Sequence, residues 1–164
     1  MIDVSTTAGS HAATVGHVDD AGFVRAPAPL VYRRLSDLGR WPTWWAGCRV
    51  RSLPPTFDDP TGERFAVQLD RGWRQRLCLS VQPTGWRHDE GFELLLGGDV
   101  RGRAEFWLEP THGGTLLHHL ASFRTPLARP GGIVMAYRRA IRRGLWGCKD
   151  ALQLEARTSA GLQP

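Results

Sequence analysis

The sequence predicts an α+β chain in which a curved antiparallel sheet of about six to seven strands wraps around one long C-terminal helix, with two short helices after the first strand. Three observations predict it. Residues 134–157 carry apolar side chains at helical spacing. Six runs between Cys48 and Thr125 alternate apolar and polar residues, with short connections between neighbours. The segment FVRAPAPLVYRRLSDLGRWPTWW, Phe23 to Trp45, reads as the end of a strand, a Pro-led amphipathic helix and a short Trp-rich turn. A sheet gripping a helix in this way is expected to enclose a cavity.

Residues 1–13 are small and polar without periodicity and are expected to form a flexible N-terminal tail. From Thr14 to Arg25, β-branched residues and Phe23 predict a first strand, weakened by the Asp19-Asp20 pair. Ala26-Pro27-Ala28-Pro29 stops it, and proline is tolerated in the first turn of a helix, where its missing N–H has no partner to lose. Val31, Leu35 and Leu38 then fall on one helical face, and Gly39 ends the helix. Trp41-Pro42-Thr43-Trp44-Trp45 forms the second short helix or turn.

Cys48 to Leu53 is the next strand, followed by a loop at Pro54-Pro55 and Asp58-Asp59-Pro60. Phe65, Val67 and Leu69 alternate with polar or small neighbours; so do Leu77, Leu79 and Val81, then Phe92, Leu94 and Leu96, then Ala104, Phe106 and Leu108. Gly113-Gly114 marks a hairpin, Thr115 to Thr125 the last strand, and Arg129-Pro130-Gly131-Gly132 a loop. Val134, Tyr137, Ile141, Leu145, Cys148 and Leu152 form the stripe of the final helix. Beside it runs a row of small residues, Ala140, Gly144, Gly147 and Ala151. Two mid-helix glycines cost about 1 kcal/mol each relative to alanine, so either the sheet is expected to approach the backbone closely there or the row leaves volume for something else, such as a ligand. Residues 14–157 thus make one domain, and 158–164 a C-terminal tail.

Composition bounds the function. At 41% hydrophobic and 23% charged residues the chain is an ordinary globular one. No apolar run is long enough for a transmembrane segment, and the N-terminus lacks the basic and apolar regions of a signal peptide, so a cytoplasmic protein is expected. Cys48, Cys78 and Cys148 fit a reducing compartment, where they act as small hydrophobes, and none stands at metal-ligand spacing. Of the net charge of +5, most sits on residues 133–157, where six cations face two carboxylates. A basic surface confined to one helix does not predict specific nucleic-acid binding. There is no Gly-x-Ser-x-Gly, no phosphate loop and no dinucleotide fingerprint, and no cofactor is expected.

The order of elements, with Ala26-Pro27-Ala28-Pro29-Leu30-Val31-Tyr32, Leu35-Ser36-Asp37-Leu38, Arg40-Trp41-Pro42-Thr43-Trp44-Trp45, Leu108-Glu109-Pro110 with Gly113-Gly114-Thr115, and Arg142-Arg143-Gly144-Leu145-Trp146, resembles the START-like helix-grip (SRPBCC) superfamily. Within it, the chain resembles the polyketide cyclase/dehydrase-like branch of small bacterial proteins. The resemblance covers roughly residues 15–157. It implies a cavity between sheet and long helix that binds a small hydrophobic or aromatic molecule, lipid- or polyketide-like. It implies no fixed catalytic set, so the chain reads either as a binding protein or as a cyclase/dehydratase-type enzyme working by confinement and acid/base catalysis.

Candidate site residues follow. Trp41, Trp44 and Trp45 offer large apolar faces with an N–H donor, as core packing or at the cavity mouth. Phe65, Phe92 and Phe106 are counted with them as cavity-lining aromatics. Adjacent residues on a strand point to opposite faces, so His118 and His119 do not chelate one ion. If Leu117, Ala121 and Phe123 face inward, as the resemblance implies, the inward histidine is His119; the opposite phase is almost as apolar. Tyr137 is a core aromatic or a polar handle for a ligand, and with His119 the acid/base pair if the chain is an enzyme. Gly144, in the small-residue row, is expected to border the ligand space. Trp146 projects from the basic face and reads as cation–π stacking, a homodimer contact or a membrane-surface contact. His88, Asp89 and Glu90 read as a solvated cluster without a role.

Overall fold

A computed structural model describes residues 14–56, 59, 62–72, 75–127 and 129–160 of the chain. The expected N-terminal tail, most of the 58–60 loop and residues 161–164 lie outside the described residues. The elements in order are β1 (Thr14–Val24), α1 (Ala28–Ser36), a 3-10 helix (Leu38–Thr43), β2 (Cys48–Leu53), β3 (Arg64–Gly72), β4 (Gln75–Arg87), β5 (Gly91–Gly98), β6 (Arg101–Thr111), β7 (Gly114–Thr125) and α2 (Pro130–Ala160).

The strands form one seven-stranded antiparallel sheet in the order β1-β7-β6-β5-β4-β3-β2, curled into a half-barrel. This is the predicted helix-grip α+β fold. Strands β2 to β7 are a meander of successive neighbours, which short turns permit. The β6–β7 turn places Gly113 at φ 79°, a left-handed conformation that glycine adopts without a Cβ clash. The first strand instead pairs with the last, from Thr14 opposite Thr125 to Val24 opposite Thr115. The chain then crosses from one sheet edge to the other through α1 and the 3-10 helix, which close one end of the half-barrel. Register shifts at Asp70/Gly72 and Thr84/Arg87 mark bulges, and bulges increase the local bend of a sheet.

Period-2 alternation decides what faces in. Val67 and Leu69, Leu77, Leu79 and Val81, Phe92, Leu94 and Leu96, and Ala104, Phe106 and Leu108 are buried on the concave face, as their alternation predicts. Phe65 is only partly buried, near the edge. On β7 the inward set is Leu117, His119, Ala121 and Phe123. The α2 stripe of Tyr137, Ile141, Leu145, Cys148 and Leu152 is buried against this face, while Val134 is partly buried and Ile133, Ala136 and Ala140 widen the stripe.

Several boundaries differ from the sequence reading. Leu38 and Gly39, expected to finish the first helix, open the 3-10 helix instead, because α1 ends at Ser36. The Pro130-Gly131-Gly132 segment, expected as loop, is the first turn of α2. Proline is at home there, and the Gly132 N–H reaches the Arg129 carbonyl at 3.0 Å. At the other end the helix runs to Ala160. Of the cysteines, Cys48 and Cys148 are buried and Cys78, on the outward phase of β4, is exposed; all three are free.

Candidate functional site

Among the described residues the lining of the central void is apolar except for His119 and Tyr137. His119, on β7, is fully buried, and its Nε2 lies 3.0 Å from the Tyr137 hydroxyl on α2. The His119 ring packs 4.6 Å from Phe106, and the Tyr137 ring 4.9 Å from Phe123. Burial pulls the imidazole down to about 3, partly offset by the Asp20 carboxylate, and pushes the Tyr137 phenol well above its usual range. Both groups are therefore neutral across the physiological range. A neutral imidazole has one N–H and one bare nitrogen. Nε2 is satisfied by Tyr137, whereas Nδ1 has no hydrogen-bond partner among the described residues.

The void beside this pair is about 20 Å³, bounded by Trp41, Trp45, Leu79, Leu94, Phe106 and Ile141 among others. That is room for about one water molecule. Among the described residues no deep cavity opens between the sheet and α2, where aromatic side chains fill the space. Trp41 and Trp45 are the largest of them. Their indole N–H groups donate to backbone carbonyls, Trp41 to Leu35 at 2.8 Å and Trp45 to Ala140 at 3.0 Å. Trp44 stacks on Trp45 from behind, with ring centroids 5.9 Å apart, and its Nε1 is buried without a partner among the described residues.

The small-residue row corrects an expectation. A Cβ at Gly144 would lie 2.5 Å from the Trp45 ring, and one at Gly147 would collide with the Trp44 carbonyl oxygen. The two glycines are sockets for the tryptophan turn and leave no ligand space. Close approach of Trp44 and Trp45 explains the pair of glycines in mid-helix, since no other residue fits beneath them.

Of the candidate residues, the fold therefore brings Trp41, Trp45, Phe106, His119 and Tyr137 together at the void. Trp44 lies outside it, towards a surface groove with Trp146 and Leu154. Phe92 packs away from it, between Tyr32, Trp86 and Phe106. His118 faces outward, stacked on Trp107 and 3.3 Å from Glu109. Cys48 and Cys148 are pushed up to about 12 by burial, which keeps them as inert thiols.

One buried group was misjudged in the sequence. Asp20, read only as a weakening of β1, is opposite His119 in the register and faces inward at 8% exposure. Its carboxylate accepts from Arg138 Nε at 3.1 Å and Arg142 Nε at 2.9 Å, tying β1 to α2. The signal was available: one of two adjacent acids on a strand must face the helix that carries six cations. On the convex face, Ser122 Oγ lies 2.7 Å from His17 Nδ1. These two are direct cross-strand partners on the outward face of the sheet. Among the described residues no three His, Cys, Asp or Glu side chains gather as a metal site requires.

No protein-family model matches the chain, and no curated protein does. Solved structures do match. The chain is similar to the ZhuI aromatase/cyclase from Streptomyces sp. R1128 at 14% identity and TM-score 0.70, over 89% of this chain and 98% of that one. It is similar to a START superfamily protein from Mycobacterium smegmatis at 18% identity and TM-score 0.63, over 87% and 98%. It matches half of the di-domain ARO/CYC StfQ from the steffimycin biosynthetic pathway, at 14% identity and TM-score 0.65, over 87% of this chain and 52% of that one. At these identities the likeness is one of fold, and the fold is that of the START-like, polyketide cyclase-like proteins.

Proposed function

We propose that the chain binds a small hydrophobic or aromatic molecule between the sheet and α2, with His119 and Tyr137 as the polar contacts. The observation that carries this reading is the His119–Tyr137 pair itself. It is the one polar spot on an otherwise apolar wall, it borders a void, and His119 Nδ1 is left without a partner. An unpaired buried polar atom costs about 1–3 kcal/mol. A ligand hydroxyl or carbonyl beside Nδ1 would recover that cost, while its apolar body would replace side chains that move aside. Likeness in fold to aromatase/cyclase and START structures supports a ligand of this class. A cytoplasmic setting suits the three free cysteines.

The enzyme reading, cyclisation or dehydration of a polyketide-like substrate with His119 and Tyr137 as acid and base, stands second. An imidazole at about 3 and a phenol raised by burial are both far from the range in which general acid–base catalysis is efficient.

The test is uptake of an uncharged apolar dye such as Nile red, with native mass spectrometry of protein isolated from its own host. Saturable one-to-one uptake that raises the melting temperature is expected, since ligand at 100 times its Kd adds about 2.7 kcal/mol. Tyr137→Phe and His119→Gln should weaken uptake of ligands bearing a hydroxyl more than that of bare hydrocarbons. No uptake at the dye's solubility limit, with no extra mass on the host-derived protein, would sink the reading.

A further inference from the structure

Along α2, at about 100° per residue, Arg139, Arg142, Arg143, Lys149 and Arg157 all fall within about 60° of Trp146. That sector is the outward side of the helix, opposite the buried stripe. Trp146 is 62% exposed, and Met135, in the same sector, is 48% exposed. Two of the cations are already engaged, Arg142 with Asp20 and Arg143 with the Asp70 carbonyl. Arg139 and Arg157 have no ion pair among the described residues, and the Lys149 ammonium sits 4.9 Å over the Trp146 ring. Asp150 is the one carboxylate on this face; the other acid of the helix, Glu155, turns away and pairs with Arg34.

We propose that this outward face of α2 docks on a surface of anionic lipid headgroups, Trp146 entering the headgroup layer between the flanking cations. Three features select that occupant. Cations near an anionic leaflet add attraction roughly one by one, without needing a fixed geometry. An indole prefers the membrane–water interface, where its ring is half wet and half apolar. The groove beside Trp146, shared with Trp44 and Leu154, carries Arg142, Arg143 and Asp150 in its lining, whereas the core of a protein interface is depleted of charge. A second copy of this chain would bring two cationic faces together, which opposes it. No helix among the described residues is long and apolar enough to cross a membrane, so contact through α2 would be peripheral. This docking face is on the opposite side of α2 from Tyr137 and does not depend on the ligand reading.

The test is sedimentation of the full chain with vesicles of phosphatidylcholine alone, and with about a quarter phosphatidylglycerol, at low and high salt. Binding is expected only to the anionic vesicles and should fall with added salt. The double variant Arg139→Glu/Lys149→Glu should weaken binding by more than about tenfold, and Trp146→Ala by a few-fold. The control is Arg101→Glu/Arg124→Glu, the same change in net charge at two exposed, cross-strand residues of the sheet; it should keep binding within about threefold. Absence of binding to anionic vesicles at low salt overturns the proposal. So does equal loss in the control variant, which would mean attraction by net charge alone. Capture by polyglutamate without vesicle binding would assign the face to an acidic protein. Self-association abolished by Trp146→Ala, without vesicle binding, would assign it to a second copy.

Discussion

Gly147→Ala separates a packed helix from an open cavity wall. In a helix interior the change should favour folding by up to about 1 kcal/mol, because alanine loses less backbone entropy than glycine. At this position a Cβ would lie 2.0 Å from the Trp44 carbonyl oxygen and 3.1 Å from its carbon. The obstacle is backbone, and it belongs to a turn held by the Trp45 N–H on Trp41 at 2.8 Å and the Cys48 N–H on Trp45 at 3.1 Å. Relief therefore requires the turn or the helix to shift as a body. Overpacking of this kind costs about 1–3 kcal/mol, and a backbone obstruction belongs at the upper end. The net loss is about 2 kcal/mol, or a melting temperature lower by ~4–8 °C for a chain of this size. Gly131→Ala and Gly132→Ala are the controls: they lie in the same helix, and a Cβ there meets nothing within 4 Å. These should be neutral or slightly stabilising. Urea and thermal unfolding of the three variants read the result. If Gly147→Ala proves as stable as Gly132→Ala, the socket argument is wrong, and the small-residue row faces empty space after all.

Other expectations use different parts of the fold. An unfolded histidine takes up its proton near 6.5 and His119 in the folded chain only near 3, so below about pH 6.5 the unfolded state binds more protons and stability falls with pH. Over that window His119 contributes about 1.4 kcal/mol per pH unit, and in His119→Gln the acid-side slope of urea stability should be flatter by that amount; an unchanged slope would place His119 in contact with water. Leu145, 6% exposed on the inner stripe, should not tolerate Asp: Leu145→Asp buries an unpaired charge, and a melt like the parent's would refute the placement of α2. Asp20→Ala removes the carboxylate shared by Arg138 and Arg142 and should cost about 2 kcal/mol, between a fully buried and an exposed pair because both arginines still reach solvent. Asp20→Asn should recover part of this, and a cost no larger than about 0.5 kcal/mol for Asp20→Ala would show the pair to be a surface one.

The fold was legible because its elements announce themselves locally. Apolar residues recur at every second position in β3, β4, β5 and β6, so burial of Val67, Leu79, Leu94 and Phe106 follows from period two alone. The α2 stripe follows from period 3.6 in the same way. What the sequence could not settle was non-local. Leu116, His118 and Leu120 alternate almost as well as Leu117, His119 and Ala121, so the phase of β7 depends on its pairing with β1 and β6. Asp20 looked unfavourable in a strand because its partners lie more than a hundred residues later. The cost of two mid-helix glycines shows that the row has a reason, but from sequence two reasons are open. Those are close packing on the sheet or space for a ligand, and the structure gives neither: the tryptophan turn, Trp44 and Trp45, fills the row.

That packing bears on how a ligand would be admitted. A drug-sized molecule needs a pocket of about 300 Å³ or more, against a void of about 20 Å³. The room has to come from the helix moving off the sheet or from side chains leaving the interior. Lifting α2 would expose the whole stripe from Tyr137 to Leu152 and part Asp20 from its arginines. Swinging Trp45 out would break one hydrogen bond, to Ala140, whose carbonyl still accepts within the helix. That bond is worth about 1 kcal/mol, to which the lost packing of one indole in the Gly144 socket is added. Even with its ring contacts to Trp41 and Trp44 lost, the indole would be the cheaper gate for a ligand by the difference between one side chain and a helix face. It also stands where a ligand would need it, bounding the void on the side of the tryptophan turn, with His119 and Tyr137 among the groups that line the same space. An aromatic ligand taking the place of the Trp45 ring would restore much of the contact the ring gives up, so binding and opening would be one step, driven by the exchange of one aromatic surface for another.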